Sequence, residues 1–179
     1  MENKFENTKT QGNLLTAFTG ESMARNKYTF FAAAARKEGY EEIARIFEET
    51  ADNERAHAKV WFSLLEQLGD TAFNLRSASE GEHYEWSEMY KTFARDAREE
   101  QRPDIAFLFE KAAQVEKAHQ ERFDALLDRL EKGETFRQKG GARWKCQNCG
   151  MVVEGEEAPD KCPLCSHPKS FFRREPDCL

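Results

Sequence analysis

An internal repeat restricts the fold of this chain more than any other feature. Residues 28–68 align with residues 90–130 at an offset of 62 positions and share 17 identities in 41 positions. Each copy is long enough for two helices. The repeat therefore predicts two helical hairpins, which together make a four-helix bundle.

The apolar residues of each copy follow a helical period. The second and fourth helices each carry a stripe whose members alternate between steps of four and three, as expected for a face buried in a bundle. The stripes consist of Ile43, Phe47, Thr50, Glu54, His57, Trp61, Leu64 and Leu68, and of Ile105, Phe109, Ala112, Glu116, His119, Phe123, Leu126 and Leu130.

The third helix should contain an irregularity. Glu21 and Tyr28 are seven residues apart, whereas Glu82 and Tyr90, in the second copy, are eight apart. One inserted residue in a continuous helix is usually absorbed as a π-bulge. Residues 71–77 are expected to bridge the hairpins, and Pro103 suits the first turn of the fourth helix.

The charge balance excludes several classes of partner. The chain has 27 Lys and Arg against 33 Asp and Glu, a net charge of -6, which argues against nucleic acids and anionic membranes as partners. No apolar stretch approaches the roughly 20 residues of a membrane-spanning helix. The segment MENKFENTKTQ has no apolar core of a secretory signal, so we expect a cytoplasmic protein.

Seven potential metal ligands lie on the predicted buried stripes. Burying an unpaired carboxylate costs several kcal/mol, and no Lys or Arg lies at these positions. One Glu from each of two helices plus a Glu-x-x-His from each of the other two is the arrangement of di-iron and di-manganese sites. The ligand types do not distinguish the two metals. The seven are Glu21, Glu54, His57, Glu82, Glu85, Glu116 and His119.

A single Glu-x-x-His is common on the surface of a helix in so charged a sequence. Two copies at the repeat offset, both on core stripes, favour the metal site instead. Glu85 exceeds the usual count of four glutamates and two histidines, and the residues alone leave it an optional ligand.

The cysteines lie together near the end of the sequence. Cys146 and Cys149 form one C-x-x-C pair and Cys162 and Cys165 a second, twelve residues later. Four thiolates at this spacing make a tetrahedral site that fits zinc and iron equally. Cys178 lies outside the pattern and is expected to be a free thiol.

The distribution of glycine and proline predicts the domain boundaries. We expect a helical domain over residues 1–132, a linker over 133–143 and a loop-rich metal-bound module with a few short strands over 144–179.

These motifs resemble the rubrerythrin family over almost the whole chain. The similar segments are FEETADNERAHA (47–58), GEHYEWSEMY (81–90), VEKAHQERF (115–123) and WKCQNCGMVVEGEEAPDKCPLCSHPKSFF (144–172). The resemblance implies a mainly helical, ferritin-like four-helix bundle followed by a small rubredoxin-like domain. It also implies two irons in the bundle and one iron bound by Cys146, Cys149, Cys162 and Cys165.

The resemblance further implies roles for individual residues. All seven bundle residues become di-iron ligands, with Glu54 and Glu116 as bridging carboxylates, and His57 exchanges with Glu85 as one iron changes oxidation state. Tyr28 and Tyr90 are catalytic neighbours of the ligands or aromatic core residues. Ser166 stands where simple rubredoxins usually have Gly.

The implied activity is reduction of hydrogen peroxide to water. Electrons come from NAD(P)H through a separate reductase or rubredoxin, and return to the di-iron site through the Fe(Cys)₄ centre, in defence against oxidative stress. A head-to-tail homodimer or larger oligomer is also implied. The alternatives are a ferroxidase or iron-handling protein, and a non-enzymatic electron-transfer protein.

Overall fold

The computed structural model describes residue 5 and residues 7–175. The chain divides into two compact units between Asp70 and Thr71. The first unit contains one helical hairpin. The second contains another helical hairpin followed by a small antiparallel sheet.

Hairpin 1 consists of α1 (Lys9–Lys37) and α2 (Glu41–Leu64). The Oγ1 atom of Thr8 caps α1 by accepting a hydrogen bond from the backbone N–H of Gln11 at 3.1 Å. Gly39 follows α1 with a φ of 88°. Because this left-handed conformation favours glycine and ends helices, the chain reverses here into α2.

Hairpin 2 consists of one long interrupted helix and α5 (Pro103–Glu131). The interrupted helix contains α3 (Thr71–Tyr84), a π-helical turn (Glu85–Met89) and α4 (Tyr90–Glu99). The predicted π-bulge and the predicted place of Pro103 in the first helical turn are therefore confirmed.

The bridge predicted over residues 71–77 is wrong, because these residues form the first turns of α3. The segment TAFNLRS contains no glycine or proline that would stop a helix. The connection between the hairpins is residues 65–70 instead.

The two hairpins repeat each other in side-chain packing as well as in sequence. Hairpin 1 buries Ala32, Ala35 and Ala44 beside Phe47, and hairpin 2 buries Ala94, Ala97 and Ala106 beside Phe109. Small residues at these positions let the two helices of each hairpin approach closely. An Arg–Glu ion pair recurs at the same offset, as Arg36–Glu48 and Arg98–Glu110.

The sheet has the order β2-β1-β3 with antiparallel neighbours. Its strands are β1 (Arg137–Cys146), β2 (Val152–Glu157) and β3 (Phe172–Arg174). The core of this module is formed by Trp144 and Phe172 together with Cys146, Ala158 and Cys162.

The structure differs from the predicted linker, because residues 137–143 belong to β1. Gly140 and Gly141 have φ values of 87° and 93°, and the register of β1 with β2 shifts between Arg137 and Ala142. The glycine pair therefore lies in an irregularity of a strand, where positive φ values suit glycine.

Candidate metal centres

The first cluster of potential ligands belongs to hairpin 1. Ligand atoms of Glu21, Glu54 and His57 lie within 4.8 Å of one another. The Nδ1 atom of His57 is 2.9 Å from Oε2 of Glu54 and 3.8 Å from Oε1 of Glu21. Because Glu54 and His57 are three residues apart on one helix, they present their side chains on the same face.

The second cluster belongs to hairpin 2 and repeats this geometry. Ligand atoms of Glu82, Glu116 and His119 lie within 4.8 Å of one another. The Nδ1 atom of His119 is 2.7 Å from Oε2 of Glu116 and 3.8 Å from Oε2 of Glu82. The agreement between the clusters shows that the sequence repeat extends to the orientation of the ligands.

The clusters differ in how much each member is exposed. The side chains of Glu54 and Glu116 are both 18% exposed, whereas His57 is 57% and His119 37% exposed. Glu54 and Glu116, the predicted bridging carboxylates, are thus the most enclosed members, and His57 is the most exposed.

The electrostatics of both clusters fit a bound cation. The hydrogen bond with Glu54 and burial raise the pKa of Glu21, while the hydrogen bond from His57 lowers the pKa of Glu54. Burial and the charge of Glu116 raise the pKa of Glu82. Carboxylates held this close repel one another unless positive charge lies among them, so the residues present suit multivalent metal ions.

Glu85 and the two tyrosines occupy different surroundings. Glu85 opens the π-helical turn and is not a member of the three-residue cluster. Burial, with the charges of Glu85, Glu116 and Glu82, raises the pKa of Tyr90. Tyr90 therefore lies near the ligands of hairpin 2. Both tyrosines also have ring contacts with two phenylalanines, Tyr28 with Phe31 and Phe47 and Tyr90 with Phe93 and Phe109.

Sequence reasoning missed two polar groups near the clusters. The buried indole N–H of Trp61 has no hydrogen-bond partner among the described residues, but it lies close enough to the Glu21 carboxylate to lower its pKa, against the stronger effects that raise it. Gln120, next to His119, accepts a hydrogen bond from Nε1 of Trp86 at 2.6 Å. Trp61 was predicted only as an apolar member of its stripe, and no spacing signal marked Gln120.

The four cysteines predicted as one site come together in the sheet module. Sγ of Cys146 is 3.7 Å from Sγ of Cys165, and Sγ of Cys149 is 3.6 Å from Sγ of Cys162. This spacing suits four sulfur atoms around one tetrahedral ion. Cys178 lies outside the described residues.

Two similar turns hold the cysteine pairs. The Gly150 N–H donates to the Cys146 carbonyl at 2.8 Å, and the Ser166 N–H to the Cys162 carbonyl at 2.9 Å. Gly150 has a φ of 80° and Ser166 a φ of 59°. Ser166 therefore adopts the left-handed conformation for which glycine is the usual residue.

Backbone N–H groups adjust the charge of the thiols. The His167 N–H lowers the pKa of Cys165 to about 6. Although the Met151 N–H lowers the pKa of Cys149, burial and hydrogen bonds with the other three thiols raise it to about 12. Four thiols packed together in this way lose their protons most readily to a metal ion.

Comparison with known proteins decides the family. The model of the rubrerythrin family matches residues 12–127, and that of the rubrerythrin rubredoxin-like domain matches residues 144–173. The chain belongs to the rubrerythrin family. Its fold class is therefore confirmed as a ferritin-like four-helix bundle followed by a rubredoxin-like domain.

Individual relatives cover nearly the full length. A rubrerythrin of Porphyromonas gingivalis is 44% identical over 96% of this chain and 92% of its own. A rubrerythrin of Nitratidesulfovibrio vulgaris is 43% identical over 92% of this chain and 93% of its own. A solved nigerythrin in a mixed-valence state is 34% identical over 97% of this chain and 90% of that one, with a TM-score of 0.36.

Family membership and the side chains present agree on the metals. The carboxylate–histidine clusters provide a di-iron site, and the four cysteines provide a rubredoxin-like iron site. The assignment of each individual ligand stays a prediction. In the described part of the chain, no helix is both long and apolar enough to cross a membrane.

Proposed function

We propose that this chain reduces hydrogen peroxide to water in defence against oxidative stress. The observation that supports this most is the presence of two kinds of iron site in one chain. Two bound irons would supply the two electrons that, with two protons, convert one hydrogen peroxide molecule into two water molecules. An iron bound by four cysteines carries one electron at a time, so it is suited to return these two electrons to the di-iron site in two steps.

Residues around the clusters have separate tasks in this proposal. The carboxylates of Glu54 and Glu116 would hold both metal positions, and His57 would exchange with Glu85. Tyr90 keeps its proton at neutral pH, because burial and nearby carboxylates raise its pKa. Its phenol can therefore donate a hydrogen bond to a carboxylate or supply a proton beside the reacting oxygen.

The position of the Cys₄ site favours electron transfer between chains. From His119 to Leu130, α5 runs eleven residues, or about 16 Å at ~1.5 Å per residue. The module begins beyond the end of α5, where the guanidinium of Arg174 donates to the carbonyls of Glu134 and Arg137. We propose a head-to-tail homodimer, in which this module serves a di-iron centre to which the other chain contributes ligands.

The electrons that reach the module come from an NAD(P)H-dependent reductase or a rubredoxin in this proposal. A cytoplasmic location also stays a prediction.

Titration of the fully reduced protein with hydrogen peroxide under anaerobic conditions tests the function. The fully reduced chain would hold three electrons, two on the di-iron site and one on the Cys₄ iron, so it should consume about 1.5 equivalents of peroxide, whereas a chain without the Cys₄ iron should consume about one. A Cys146→Ser variant serves as the control, since its di-iron centre should still react but should not be re-reduced by NADPH and a reductase.

Two results would contradict the proposal. A ferroxidase would oxidise many added Fe(II) ions per chain with O₂ and retain the oxidised iron, with no need of the cysteines. An electron carrier would pass electrons through the Cys₄ site while the bundle stayed unreactive towards peroxide.

A further inference from the structure

Each hairpin exposes an apolar face of the kind that a four-helix bundle buries. In hairpin 1, Ile43 and Leu64 lie on the same stripe as Glu54 and are 48% and 42% exposed. In hairpin 2, Leu126, the repeat counterpart of Leu64, is 37% exposed. Faces that carry both ligands and large apolar side chains require a second hairpin as cover.

The connection between the hairpins determines which hairpin can provide that cover. Ferritin-like bundles join their hairpins by one long crossover, because the second and third helices run in the same direction. From Glu54 to the end of α2 at Leu64 is ten residues, and from the start of α3 at Thr71 to Glu82 is eleven. With Glu54 and Glu82 level at one site, the connection must span about 32 Å at ~1.5 Å per residue.

Residues 65–70 are too short to cross this distance. The N–H groups of Leu65, Glu66 and Gln67 donate to carbonyls in the last turn of α2 and hold the first half of the connection there. From Gln67 to Thr71 a chain reaches at most about 14 Å, and even a fully extended connection from Leu64 reaches about 25 Å.

We infer that each di-iron centre is assembled from two copies of the chain, with hairpin 1 of one copy packed against hairpin 2 of the other. Glu21, Glu54 and His57 then come from one copy, and the cluster of Glu82, Glu116 and His119 from the second. A symmetric pair of chains makes two such bundles. In each bundle the apolar face of one hairpin covers that of the other, and no connection has to cross the bundle. The inference rests on the metal ligands and not on the proposed peroxidase activity.

A pair of heterodimers tests the exchange of hairpins directly. In the trans pair, one chain carries Glu54→Ala and the other Glu116→Ala, with different affinity tags so that only heterodimers are recovered. Exchanged hairpins restore one complete centre, so we expect two irons per heterodimer beyond those bound by cysteine. A bundle formed within one chain leaves both centres damaged and gives none.

The cis pair is the matched control and has the opposite outcome. Here one chain carries both Glu54→Ala and Glu116→Ala, and the other is unchanged. Exchanged hairpins leave both centres damaged, whereas a bundle formed within one chain keeps one intact. Bundle iron in the cis pair and none in the trans pair would overturn the inference.

A measurement without metal covers the case in which a variant folds poorly. Unlabelled and ¹⁵N-labelled wild-type apoprotein are unfolded, refolded together and cross-linked through lysines such as Lys59 in hairpin 1 and Lys117 in hairpin 2. About half of the cross-links between the two hairpins should join chains of different isotope. Cross-links confined to chains of one isotope would refute the exchange.

Discussion

Trp144 offers the sharpest test of what holds the Cys₄ site together. Its side chain is 0% exposed and packs with Cys146, Cys162 and Phe172 in the core of the sheet module. Its indole N–H donates to the carbonyl of Gly155 in β2 at 2.9 Å. The residue therefore joins β1, which ends at Cys146, to its neighbour β2.

These contacts indicate how much free energy of stabilisation the module should lose in two substitutions of Trp144. Trp144→Ala should cost about 3–5 kcal/mol, as for other buried aromatic residues replaced by alanine. Trp144→Phe keeps an aromatic ring but leaves the Gly155 carbonyl without its donor, at about 1–3 kcal/mol. Since about 1.4 kcal/mol is a factor of ten, local opening should increase roughly 150–4,000-fold for alanine and about 5–150-fold for phenylalanine.

Release of the cysteine-bound iron to an excess of chelator measures this opening through loss of its visible absorption. Leu164→Ala is the control, because Leu164 lies in the same module but is 69% exposed, and it should change the rate by no more than about twofold. Equal release rates from Trp144→Ala and Leu164→Ala would show that the core does not limit access to the metal.

Three further predictions concern the bundle. Glu54→Ala should lose both bundle irons, whereas His57→Ala should keep them and turn over slowly; iron analysis showing equal loss would exclude ligand exchange. Tyr90→Phe should slow the reaction with peroxide more than Tyr28→Phe at equal iron content, and equal rates by stopped flow would remove the assigned role. The guanidinium of Arg36, across the α1–α2 turn, lowers the pKa of Glu48. The stability that this ion pair contributes is therefore complete above the pKa of Glu48 in the unfolded chain and is lost as pH falls through the lower pKa of the folded state. Thermal unfolding should therefore depend less on acid pH in Glu48→Gln, and an unchanged dependence would contradict this.

Residue spacing was enough to predict the parts of this molecule that depend on local periodicity. The stripes placed Glu54 beside His57 and Glu116 beside His119, because residues three apart on a helix must share a face. The extra residue between Glu82 and Tyr90 predicted the π-helical turn, since an insertion in a continuous helix has few other outcomes.

Spacing could not predict features that depend on pairing with distant residues. The pair Gly140–Gly141 has the composition of a linker, and only its pairing with β2 makes it part of a strand. Ser166 has no intrinsic preference for positive φ, and adopts it because the turn between Cys162 and Cys165 requires that conformation. The beginning of α3 at Thr71 was missed, although residues 71–77 contain no glycine or proline that would stop a helix.

The same distinction explains why the sequence predicts the ligands of the di-iron centre but not the chains that supply them. The repeat makes hairpin 1 and hairpin 2 near-equivalent surfaces, each with a cluster of one Glu-x-x-His and one further glutamate, so either can face a copy of the other. Periodicity does not distinguish a hairpin of the same chain from a hairpin of a second one. The length of the connection does, because a crossover of about 32 Å exceeds the reach of residues 65–70. We therefore expect that lengthening this connection by about 12 flexible residues would let one chain close its own bundle, and that bundle iron would then appear in the cis pair of heterodimers.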